Sequence, residues 1–392
     1  MQTKQWFQQH FSILQSNMKL ENIVDGYYID PKYLSVYRIL YCSIILLIVG
    51  LPSYTWMINS LNYLFAPPEV SFAGLFHQFP DPWFFMLLTG LNLVFFIMMF
   101  LGVATKWTSL LFSITCLVGH NFWYSFGKID HLILWYIAPV FLGFAGWGRY
   151  FSVNAFRVNY IYKEVSFSTN AILIFIFALS IGFSMFTSAA EKMAGGWLSW
   201  QGEGVRFNFI KNFLSLNRDN LLTKPLIRYH NHIFWKFMDY SALIMEFGFI
   251  LSLIRIQYFR IFLAIGVVFH MLVLLMFNIP FYSNLIVYLL FVDWHLIIRN
   301  IYGEKNGDNF PRERLCVKFI AAISLFFTTF WVMYLFQKRS FFNFPGLLES
   351  LLTGFSIPNA FDKSLFAFFF LVFIFTIYVI YCHLEVYIKN KL

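Results

Sequence analysis

The sequence predicts an all-α fold: a polytopic transmembrane helix bundle of about ten spans, with N- and C-termini cytoplasmic. Three observations predict it. Of 392 residues, 59% are hydrophobic and only 12% are charged, about half the charged share of a soluble domain. Mean hydropathy is +0.66. The apolar residues also gather into runs near the ~20 residues that a bilayer core requires. This composition cannot furnish a water-facing surface, which excludes a soluble enzyme, a disordered chain and a nucleic-acid module. The net charge of +9 is then loop and headgroup charge.

The chain opens on a polar tail, 1–29, with no signal-peptide core. Phe7, Phe11, Leu14 and Met18 recur at helical spacing, as in a helix lying on a membrane surface; a loosely ordered tail is the alternative. Ten apolar runs follow, at 34–57, 82–102, 107–123, 130–147, 168–190, 236–254, 260–278, 281–299, 315–336 and 364–387. The stretch 341–354 is a candidate re-entrant segment. Inner segments and span ends then carry Lys4, Lys19, Lys32, Lys106, Arg149, Arg157, Lys163, Arg255, Arg260, Arg299, Lys305, Arg312, Arg314, Lys318, Lys389 and Lys391. Outer segments carry Lys128, Lys338, Arg339 and Lys363. The excess of Lys and Arg on one side places the termini inside. The connection 191–235 is the exception: this topology puts it outside, yet it holds Lys192, Arg206, Lys211, Arg218, Lys224 and Arg228. Within it Phe207, Ile210, Phe213 and Leu214 suggest a second surface helix whose basic face meets headgroups or an anionic ligand.

Titratable groups at membrane depth are costly and are functional candidates. They are Asp130 and His131 at the start of the fourth run, His120 with Asn121 at the end of the third, Glu191 and Lys192 at the end of the fifth, Asp239 and Glu246 in the sixth, and His270 in the seventh. The topology gathers most of them into the outer half of the bilayer. Each has a structural reading too. Lys192 either snorkels to the headgroups or is aimed into the bundle by the small face Ser180, Ser184 and Ser188. Asp239 and Glu246, seven residues apart, share a helix face, and either is a structural partner for His270 or Lys192. His270 is otherwise a packing histidine, and Asp130 with His131 a helix cap. Asp293, Trp294 and His295 form an inner interfacial anchor. Cys42, Cys116, Cys316 and Cys382 lie in or beside apolar runs without metal-ligand spacing, so no metal is predicted. A Lys in an apolar site is disposed to lose its charge and act as a base, which suits a lipid-soluble acid such as a quinol or a proton relay in a transporter.

Several segments resemble a known family. Thr187-Ser188-Ala189-Ala190-Glu191-Lys192-Met193, with Trp197 and Gly202 following, resembles the small-residue, Lys, Trp and Gly signature of the HTTM family, which includes the vitamin K-dependent gamma-carboxylases. Asp30-Pro31, Tyr37-Arg38, Leu101-Gly102 with Lys106, Glu246, Val268-Phe269-His270 with Phe277-Asn278-Ile279 and Phe281, and Phe291-Val292-Asp293-Trp294 match in the same order. The resemblance covers roughly residues 30–300. It implies a base role for Lys192 towards a quinol of the menaquinol or vitamin K hydroquinone type, and an oxyanion or proton-handling role for His270. Peptide carboxylation is not expected, because the luminal domain of the carboxylases has no counterpart after residue 300. Glu191 stands where the carboxylases can carry a second basic residue.

The domain expectation is therefore an amphipathic tail at 1–29, an HTTM-like transmembrane domain at 30–300, and two further transmembrane helices with the re-entrant segment at 301–392. The functional expectation is a bacterial inner-membrane protein of the HTTM branch without a luminal domain. It acts on a lipid-soluble quinol or similar lipid by carboxylase- or epoxidase-like chemistry, with Lys192 and His270 catalytic and Glu246, Asp239, His131, Asp130 and His120 supporting. Membrane lipids or quinone are the expected partners, and nucleic acid is not. A proton-coupled transporter or flippase and a non-enzymatic scaffold are the alternatives.

Overall fold

The computed structural model describes residues 20–127, 132–156, 165–297, 346–354 and 360–389. The run 315–336, most of the N-terminal tail, Asp130, His131 and Cys316 lie outside the described residues. Among the described residues the fold is all-helical, with no strand. In chain order the main helices are α1 (Leu20–Asp25), α2 (Pro31–Ile44), α3 (Pro82–Leu101), α4 (Thr105–Trp123), α5 (Ile133–Ala145), α6 (Phe167–Ala194), α7 (Gly204–Leu216), α8 (His232–Ser252), α9 (Ile256–Phe277), α10 (Tyr282–Tyr288), α11 (Leu347–Gly354) and α12 (Ala360–Lys389). A π turn, Ile45–Val49, extends α2. Among the described residues, the runs 82–102, 107–123, 130–147, 168–190, 236–254, 260–278 and 364–387 match single helices within a few residues, whereas 34–57 outlasts its helix by eight residues and 281–299 breaks up after Phe291.

Among the described residues, five segments are long and apolar enough to cross a membrane: Pro31–Val49, Pro82–Leu101, Phe167–Ala194, Ile256–Phe277 and Leu365–Cys382. The other expected spans among the described residues are shorter or more polar. The apolar stretches Ile133–Ala145 and Tyr282–Phe291 are short. Helix α4 spends its buried face on Thr105, Thr108, Ser109, Ser113, Thr115 and His120, and α8 carries Lys236, Asp239 and Glu246. The sequence expectation of about ten spans thus divides into five segments that satisfy length and apolarity by themselves and helices that need neighbours to cover polar groups.

The ends of the helices follow from their residues. Asp30 accepts the Lys32 N–H at 2.7 Å and Pro31 fills the first helical position of α2. Ser166 accepts the Thr169 N–H at the start of α6, and Asn231 the Phe234 N–H at the start of α8. Helix α5 contains Pro139, which cannot donate to the carbonyl four residues earlier. That carbonyl belongs to Trp135, and the Tyr41 hydroxyl of α2 donates to it at 2.7 Å.

The described parts form two compact units. The first comprises those of Met1–Tyr28, Ser166–Leu285 and Phe369–Leu392. Here α6 lies along α8, with Gly182 against Leu253 and the Phe249 carbonyl, a close approach of the kind that drives helix association in lipid. The buried face of α6 runs through Ala171, Ala178, Gly182 and Ala189. The serine stripe contributes to this unit chiefly through Ser188; Ser180 and Ser184 hydrogen-bond back to the carbonyls of Ile176 and Ile181.

The second unit comprises the described parts of Ile29–Val165 and Ile286–Phe368. Helices α3, α4 and α5 pack in succession, and the irregular segment 50–81 joins α3 and α4 in an aromatic cluster that includes Tyr54, Phe79, Phe85 and Phe122. Gly119 of α4 admits the Tyr54 ring, which lies 2.2 Å from where a Cβ would stand. Arg38 of α2 is fully buried and donates to the carbonyls of Trp147 (3.0 Å) and Phe151 (2.5 Å).

Candidate functional site

Lys192 lies in the last turn of α6, where a cation complements the helix dipole. Its Nζ lies 2.5 and 2.6 Å from the two carboxylate oxygens of Glu246 on α8 and 2.7 Å from Ser188 Oγ, one turn back. An ammonium has three hydrogens, and here all three have an acceptor. The Glu246 side chain is 5% exposed and that of Lys192 22% exposed. One member of the pair is therefore sealed in the protein and the other reaches its boundary. Glu191 is exposed and leaves Lys192 to Glu246. The Trp197 ring lies 5.6 Å from the Lys192 Nζ, close enough for a cation–π contact.

The segment carrying Trp197 is fastened to α8. Asp239 accepts the backbone N–H groups of Val205 (2.7 Å) and Gly204 (3.1 Å). These are the open donors at the start of α7, so α8 supplies a cap in trans. Lys236, one turn earlier, donates to Asp239 at 2.8 Å and to the Trp197 carbonyl at 2.9 Å. This second ion pair is sealed, with side chains 1% and 0% exposed. Gly204 is required here, because a Cβ would stand 2.5 Å from the Trp197 ring. Beside it, Glu203 accepts from Arg206 and lies 2.7 Å from His232 Nδ1, while Arg206 also meets His230. The hydrogen bond from Arg206 holds the Glu203 carboxyl below the usual carboxylate range.

The remaining candidates fall into other networks. His270 on α9 is buried, with Nε2 3.2 Å from Asn284 Nδ2 and its ring on Phe281. His120 belongs to the second unit: Tyr136 OH lies 2.7 Å from its Nε2 and Tyr54 OH 3.0 Å from its Nδ1. Asn121 accepts the Phe72 N–H and donates to the Leu117 carbonyl. The outer group expected from the sequence is thus distributed over separate hydrogen-bonded sets, of which one joins two predicted residues, Lys192 and Glu246. Among the described residues no three His, Cys, Asp or Glu side chains gather as a metal site.

Sequence reasoning missed two buried cations. Lys236 was legible as a Lys three residues before Asp239 inside an apolar helix. Arg38 appeared only within a family motif; its described acceptors are backbone carbonyls, which no residue type announces.

The class that emerges is a protein all-helical among its described residues, with five helices there suited to crossing a membrane and a Lys–Glu pair at the end of one of them. No family model matches the chain, and neither does any curated protein or solved structure.

Proposed function

We propose that the chain is an HTTM-type protein of the bacterial inner membrane with about ten spans and cytoplasmic termini. In this reading it acts on a lipid-soluble quinol or similar lipid, with Lys192 as base on the outer side. The observation that carries the reading is the Lys192–Glu246 pair. Its buried half is a carboxylate and its accessible half an amine, beside an indole ring suited to a flat aromatic ligand. Lys192 and Trp197 would hold such a ligand, and a quinol supplies a weakly acidic O–H and two reducing electrons.

The chain's own groups can manage the proton. An ion pair loses its solvation when a ligand excludes water, which favours the neutral forms. Nζ then hands one proton to Glu246 Oε, and its freed lone pair takes one from the acid. The pair ends one charge more positive, with that charge on Nζ beside the ligand. Glu246 acts as the proton store that lets Lys192 work as a base, and Ser188 keeps Nζ in place throughout.

The test is a strain lacking the native gene, complemented with variants and profiled for quinones and lipids by mass spectrometry. Lys192→Ala, Lys192→Arg and Glu246→Gln should each lose complementation, since an arginine stays protonated and a glutamine takes no proton. Wild-type profiles in Lys192→Ala would overturn the reading. Tolerance of Lys192→Arg with loss in Lys192→Ala would show that only charge and packing matter, as in a scaffold.

A further inference from the structure

The connection between α6 and α8 carries a concentration of positive charge that orientation does not explain, and its helix, α7, carries apolar groups on two sides. Val205 and Phe209 are buried in a cluster with Trp235 and Met276, joined by Trp197 and Phe277. On the other side Phe207 and Leu214 are each 68% exposed, seven residues apart with exposed Lys211 between them, so all three share one face. Large apolar side chains exposed together on one face call for cover, and the first unit covers only the face of Val205 and Phe209.

The level of α7 is set by its neighbours. Phe209 packs edge-on against Phe277 at 5.6 Å, the last residue of the membrane-length helix α9. Helix α6, also of membrane length, ends ten residues before α7 begins. Trp235, against which Phe209 also packs, lies in the first turn of α8. The ends of α8 and α9 therefore meet α7, and the level where a membrane-length helix such as α9 ends is the headgroup region. Exposed Trp200 and Tyr229 flank it, as aromatic residues do at that level.

We infer that α7 is an interfacial helix that docks on anionic phospholipid. Phe207 and Leu214 enter the acyl boundary, and Lys211, with the exposed Arg228 that ends the short helix Thr223–Ile227 after α7, contacts headgroup phosphates. The charge complementarity selects this occupant over a second copy of the chain, whose same basic face would repel it. The inference is independent of the chemistry proposed for Lys192.

The test uses the full-length chain in mild detergent, titrated with dioleoyl phosphatidylglycerol or dioleoyl phosphatidylcholine and read by native mass spectrometry. The wild type should retain phosphatidylglycerol preferentially. Lys211→Gln with Arg228→Gln should weaken that retention roughly thirtyfold, the effect of removing two basic groups near a lipid surface. Lys211→Arg with Arg228→Lys should keep it. Phe207→Ser with Leu214→Ser should lower retention of both lipids. All substituted side chains are exposed, and unchanged melting temperatures confirm that each variant is folded. Equal retention of the two lipids, or retention unaffected by the glutamines, would overturn the inference. So would a dimer that disappears in the serine variant, because a second copy would then be the cover.

Discussion

Two carboxylates seven residues apart on α8 have different surroundings and should respond differently to removal. Asp239 holds a sealed ammonium and two backbone N–H groups, whereas Glu246 holds an ammonium that reaches the protein boundary. Stranding a buried charge costs about 3–5 kcal/mol, and each orphaned buried donor adds about 1–3 kcal/mol. Asp239→Ala should therefore lower the melting temperature in detergent more than Glu246→Ala, where Lys192 can turn to water. Lys236→Met together with Asp239→Leu should recover part of the loss, since it removes both charges. Equal losses for the two single variants would contradict the distinction. The pairing of Lys192 with Glu246 was one of the alternatives open from the sequence, because both are charged residues in apolar runs. What the sequence did not distinguish was which carboxylate takes which cation. Asp239 and Glu246 share one face, and only the course of residues 197–205 decides that Asp239 is occupied by backbone.

At the scale of the element, the helices were legible because an apolar run of bilayer length has few other folds open to it. Their contacts were less so. The Ser180–Ser184–Ser188 stripe has the spacing of a packing face, yet Ala178 and Gly182 occupy the buried side. A serine oxygen can return its hydrogen bond to the preceding turn, so a serine stripe does not demand a partner helix. The Tyr41 hydroxyl illustrates a contact that does make a demand. It replaces the donor that Pro139 lacks, so Tyr41→Phe leaves the buried Trp135 carbonyl unsatisfied and should cost about 1–3 kcal/mol. Adding Pro139→Ala supplies a backbone N–H at the right place in α5. The double variant should therefore melt above Tyr41→Phe alone, as measured by thermal scanning in detergent. A double variant no more stable than the single one would show that the Trp135 carbonyl is not what Tyr41 serves.

At the scale of the whole molecule, the division into two units was hidden in the sequence. Each unit is assembled from separated stretches of chain, and no linker composition marks where the chain passes from one to the other. Orientation, in contrast, is a reading that charge alone supplies. It expects a C-terminal green fluorescent protein fusion to fluoresce and a C-terminal alkaline phosphatase fusion to be inactive. Phosphatase fused within 217–222 should be active; the reverse pattern would invert the topology. The cap of α7 has a consequence for how the chain is made. The donors at Gly204 and Val205 find their acceptor 34 to 35 residues further along. At a ribosomal rate of about 5–20 residues per second, roughly 2–7 seconds pass before Asp239 exists to receive them. During that interval α7 has a start without a cap. If α7 docks on the bilayer as inferred above, birth order brings it to that surface before it meets the acceptor on α8 that will hold its start.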